Sequence, residues 1–92
     1  MDLQDKYLKK INFYYNEDGK LTQYPTKRPL RQIVLAKIAA CFERDREYSE
    51  KEVNEIIRGE ITFSDVELIR RELYQERYLN RLKDGSKYWR EG

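Results

Sequence analysis

Two serines, each three residues ahead of a glutamate, stand fifteen positions apart in the second half of the chain: Ser49 with Glu52 and Ser64 with Glu67. This is capping-box spacing, in which the serine oxygen accepts the glutamate's backbone N–H and the carboxylate accepts the serine's. Behind Ser49, Val53, Ile56 and Ile57 make one apolar face, and Gly59 is a natural stop. Behind Ser64, Val66, Ile69 and Leu73 make another, running to about Arg77. Two short helices joined through a glycine predict a helix-turn-helix.

The flanking segments extend the pattern. Leu30 to Phe42 reads as an earlier helix, with Pro29 at the first helical position, where its missing N–H costs nothing. Its apolar stripe is Leu30, Ile33, Val34, Ile38, Cys41 and Phe42, which makes Cys41 a small buried core residue. The Arg46–Tyr48 segment supplies a short strand. Leu79–Leu82 and Lys87–Arg90 flank Lys83-Asp84-Gly85-Ser86, where Asp-Gly predicts a hairpin with a type I′ turn. Tyr88 and Trp89 alternate across its second strand, so one of them anchors the core and the other faces solvent.

Upstream, Leu3, Tyr7, Leu8 and Ile11 suit a short amphipathic helix. Residues 11–15 and 20–24 are expected to pair as a hairpin across Asn16-Glu17-Asp18-Gly19, closed by Pro25. The fold class expected is α+β. Residues 26–92 form a winged helix-turn-helix, a three-helix core with a C-terminal β-hairpin wing, and residues 1–25 an N-terminal hairpin extension packed on it.

Several of these segments together carry a family resemblance. Asp18-Gly19-Lys20-Leu21, Pro25-Thr26-Lys27-Arg28, Tyr48 to Ile56, Asp65-Val66, Arg70-Arg71-Glu72-Leu73 and Asp84 to Arg90 occur in an order that resembles the bacterial domain of unknown function 2087 family, over roughly residues 13–90. The resemblance implies a winged-helix-like domain of a kind found alone or attached to DNA-binding regulators, hence a role in transcriptional regulation, and no particular ligand or reaction. Arg77 departs from the pattern, which has Gly or another turn-permissive residue there, so the last helix is expected to run on slightly.

Composition narrows the chemistry. The chain has 92 residues, no His and one Cys, which excludes the common Cys/His zinc sites and removes the usual general base at neutral pH. Asn16 to Gly19 is a turn and not a calcium loop, because Tyr14 and Pro25 occupy the positions where the first and last ligands belong. There is no phosphate-cradling Gly-rich loop or nucleophile elbow. We therefore expect no enzyme, no metal and no cofactor. A single Cys, no membrane-length apolar run and no signal-peptide order point to the cytoplasm.

Charge is uneven along the chain. The net is +2, but residues 26–42 carry four cations and no acid, residues 43–63 are net −3, residues 64–77 net −1, and residues 78–92 net +2. Duplex DNA is the first expected partner. Arg71 and Gln75 lie on the outward face of the last helix as base readers, with Lys27, Arg28, Arg31, Arg81, Lys83, Lys87 and Arg90 as phosphate-contacting candidates. The alternative is a protein partner, including a second copy of the chain, met by Leu68 and the aromatic Phe13, Tyr14 and Tyr15. Leu68 is otherwise expected to pack against the N-terminal hairpin.

Overall fold

A computed structural model describes residues 3–90, with side-chain surroundings from residue 6 onward, so the side chain of Leu3 lies outside the described residues. It is an α+β chain of four α-helices and a three-stranded antiparallel sheet. Helix α1 (Leu3–Ile11) buries Ile11 and half-buries Tyr7, while Leu8 sits at the margin of that face, 46% exposed.

The expected N-terminal hairpin is reduced to its turn. Asn16 closes the turn by accepting the N–H groups of Asp18 and Lys20 on its side-chain oxygen, each at 3.0 Å. Gly19 takes φ +77°. The first flank does not extend as a strand: α1 tightens into a 3₁₀ turn over Asn12–Tyr14, and only Tyr15 pairs with Leu21. On its other side Leu21 also bridges to Ile61 in parallel, donating to the Glu60 carbonyl at 2.8 Å and accepting from Thr62 at 2.9 Å. Burial decides the outcome, because the bridge seats Leu21 in the core at 1% exposure.

Helix α2 (Arg28–Ala39) begins at Lys27, which provides no side-chain cap, and Pro29 pre-sets φ in the first turn. Leu30, Val34, Leu35, Ile38 and Ala39 are buried. Past Ala39 the backbone tightens, with Cys41 bonded to the Ile38 carbonyl and Phe42 to that of Ala39. Three residues per turn rotate the chain further per residue than an α-helix does. Cys41 is thereby carried off the stripe and is exposed, contrary to the helical extrapolation. Phe42 is buried, edge-on to Tyr48 with centroids 5.1 Å apart.

Strand β1 (Glu47–Tyr48) leads into α3 (Glu50–Arg58), whose expected capping box is complete: Ser49 accepts from the Glu52 N–H at 3.1 Å, and the Glu52 carboxylate accepts from the Ser49 N–H at 2.9 Å. Helix α4 (Val66–Gln75) is capped one residue later than expected, by Asp65 and not Ser64. The Asp65 carboxylate accepts from the Leu68 N–H at 3.3 Å. The helix also stops short of Arg77, which takes φ +66°. Arg77 N–H bonds to the Tyr74 carbonyl and Tyr78 N–H to that of Leu73, the paired bonds of a Schellman motif with arginine in the glycine position.

Strands β2 (Leu79–Arg81) and β3 (Tyr88–Arg90) form the C-terminal hairpin, and β3 lies between β2 and β1. The hairpin turn has positive φ only at Gly85, at +74°, so it is not the type I′ turn expected from Asp-Gly. Tyr88 is the buried aromatic of its strand and Trp89 is half-buried. One core joins Ile11 and Leu21 to the inner faces of α2, α3 and α4 and to Leu79 and Tyr88 of the sheet.

Candidate functional site

The buried stripe of α4, Val66, Ile69 and Leu73, turns the opposite face outward. There Arg71 and Gln75 stand four residues apart, adjacent on one helical face, both exposed. Neither side chain has a hydrogen bond or ion pair among the described residues. Tyr74 lies beside them, 38% exposed, and the Arg81 guanidinium stacks over its ring, 4.7 Å from the centroid. That stack fastens the hairpin to the helix. A β-carbon at Gly85 would come within 3.1 Å of Arg81 Nη1, so a side chain there would crowd the stack as well as strain a backbone at φ +74°.

Two shallow depressions flank Tyr74. One, of 260 Å³, lies between α4 and the hairpin tip and collects Arg70, Arg71 and Arg81 against Glu50, Glu67 and Asp84. Arg70 is half-buried and committed, bonded to Glu50 at 2.9 Å and to Asn54 Oδ1 at 2.6 Å. The Ser86 hydroxyl and N–H both donate to Asp84 and hold its carboxyl below the usual range, so the tip keeps a negative charge. The other, of 580 Å³, lies at the C-terminal end of α4 and is lined by Gln75, Arg77 and Asn80.

The structure divides the basic residues singled out in the sequence into free and committed groups. Lys83 at the hairpin tip is exposed and without an ion pair among the described residues. Lys27 is exposed at the start of α2. Arg28 reaches Glu76 at 3.3 Å while its side chain stays 77% exposed. Lys87 pairs with Glu47 at 3.3 Å. Arg31 and Arg90 serve the fold: Arg31 donates to the Pro25 carbonyl at 2.6 Å, pairs with Glu72 at 3.3 Å and stacks on Tyr24, while Arg90 donates to the Phe42 carbonyl at 3.2 Å.

The aromatic and apolar set does not form one surface. Phe13 is 86% exposed, whereas Tyr14 and Tyr15 pack half-buried against the core and Leu68 is half-buried on α4. Sequence reasoning passed over Glu72 and Glu76, which neutralise Arg31 and Arg28. The signal was available, because a segment with four cations and no acid must take its counter-charges from another element.

Cys41 is a poor nucleophile despite its exposure. Partial burial and the hydrogen bond it donates to Glu60 at 3.1 Å push its thiol up to about 11. Tyr15, close by, is pushed up to about 12, by burial first and the Glu60 carboxylate second. Among the described residues no group of three or more acidic or Cys side chains is placed to hold a metal, and no helix is long and apolar enough to cross a membrane.

These features define a small α+β domain with uncommitted polar groups, Arg71, Gln75 and Lys83 among them, on an open surface of α4 and the hairpin. The chain belongs to the family described as an uncharacterized protein conserved in bacteria, domain of unknown function 2087, which matches residues 20–90. No curated protein and no solved structure matches it.

Proposed function

We propose that this domain is a non-enzymatic winged-helix module that binds duplex DNA, with α4 as the recognition helix and the β2–β3 hairpin as the wing. The order of helices and strands and the central place of β3 support the winged-helix reading. The observation that carries the DNA reading is the pair Arg71 and Gln75, exposed, adjacent on one helical face and without a hydrogen bond or ion pair among the described residues. Their guanidinium and amide groups suit guanine and adenine edges respectively. Lys83 meets backbone phosphate from the wing. In an anisotropy titration of labelled duplex, affinity falls steeply with added salt, because each phosphate neutralised releases counterions. Absence of salt-sensitive binding at low ionic strength overturns the reading. Such a module acts in transcriptional regulation from the cytoplasm.

The exposure of Phe13 favours a second reading, a protein-docking domain that uses α1 and its 3₁₀ turn. A wild-type chain that self-associates in light scattering but shows no salt-dependent duplex binding, with the association lost in Phe13→Ser, selects it.

A further inference from the structure

Away from α4 and the hairpin, positive charge concentrates where the end of α1 meets the start of α2. Lys6 and Lys10 lie on α1, Lys27 caps α2, and Arg28 begins it, with no acidic residue in that first turn. The Lys27 ammonium sits against that of Lys10, and this like-charge contact, with a smaller effect from Lys6, holds Lys10 below the ordinary lysine value. Neither lysine has an ion pair among the described residues, and two cations at one junction favour an anion between them.

Among the described residues one carboxylate pairs with this block. Glu76 ends α4 and bonds Arg28 at 3.3 Å. It directly follows Gln75 in the chain, so the block abuts the end of the helix that carries the proposed base readers. We infer that Lys10, Lys27 and Arg28 form a phosphate-binding block that continues the duplex contact beyond the C-terminal end of α4, with Glu76 competing as an internal anion for Arg28. The inference rests on the DNA reading above. Charge complementarity calls for an anionic partner, and continuity with α4 selects a nucleic-acid backbone over an anionic lipid surface. Lys10 precedes the residues that match the family, so this part of the contact belongs to the chain's own N-terminal segment.

The test compares duplex binding across a salt series for the wild-type chain, Lys10→Gln/Lys27→Gln, Lys27→Ala and Glu76→Gln. The double variant should give a log–log salt slope shallower by about 1.8 and the single variant one shallower by about 0.9, since each neutralised phosphate contributes about 0.9. Glu76→Gln should bind several-fold tighter at low salt. Thermal melts check folding; Lys27 is exposed, and removing it relieves repulsion, so neither lysine variant should melt earlier. A wild-type slope retained in both lysine variants overturns this inference and leaves the α4 contact standing. No salt-dependent duplex binding by the wild-type chain overturns both. Loss of binding to vesicles of equal phosphatidylglycerol and phosphatidylcholine in the double variant, with its duplex slope unchanged, assigns the block to membranes and also overturns it.

Discussion

Arg77 occupies a left-handed backbone conformation that an arginine adopts at a cost of roughly 1 kcal/mol relative to glycine. It is held there because its own N–H and that of Tyr78 satisfy the last carbonyls of α4, and because Leu79 must turn at once into the sheet. Its side chain has no partner among the described residues, so nothing in the fold depends on it. Arg77→Gly should therefore raise stability by about 1 kcal/mol and the melting temperature by several degrees. An unchanged or lower melting temperature would show that the arginine side chain makes up the backbone cost. The expectation that the last helix runs on past this point followed from the absence of a turn-permissive residue at position 77. The backbone bonds available at the turn outweigh the backbone cost to arginine.

At the scale of elements, the clearest sequence signals were those whose partners lie within four residues. The box of Ser49 and Glu52 formed as the spacing indicated because both bonds are local. Ser64 and Glu67 have identical spacing, yet Asp65 caps α4. Moving a cap by one residue leaves Val66, Ile69 and Leu73 buried either way, so the apolar pattern could not choose between them. The N-terminal hairpin failed for a different reason: Leu21 found its second partner in Ile61, forty residues on, which no local pattern reveals. Ser49→Ala should destabilise the domain by about 1 kcal/mol in urea melts. The hydrogen bonds from Ser49 hold the Glu52 carboxyl below its usual value, with a smaller contribution from Arg46. A carboxyl depressed in the folded state contributes stability that is full above its unfolded value and is lost as pH falls through the lowered one. The gap in stability between the wild-type chain and Glu52→Gln should accordingly narrow as pH falls below the unfolded glutamate value of about 4.3. A gap that stays constant below that value would remove Glu52 from the acid response.

Across the whole molecule, the basic run 26–42 showed in the sequence, but the fate of its charges did not, because pairing depends on which helices touch. Glu72 of α4 is the main example. It accepts from the Tyr24 hydroxyl at 2.7 Å and pairs with Arg31, tying the segment before α2 to α4. Burial and this carboxylate together hold the Tyr24 phenol well above its ordinary value. Glu72→Ala strands both donors and should cost about 1–3 kcal/mol in equilibrium unfolding. A cost near zero would mean that water replaces the carboxylate without penalty. The sheet binds distant parts of the chain in the same way: Tyr48 of β1 pairs with Tyr88 of β3, and β3 also carries the pairing with β2. A nascent chain emerges N-terminus first, so β1 has no strand to receive it until almost all of the described residues have been made. Interruption of synthesis between residues 76 and 87 leaves the four helices without a closed sheet and Tyr48 without its strand partner, a product that quality-control proteases should clear.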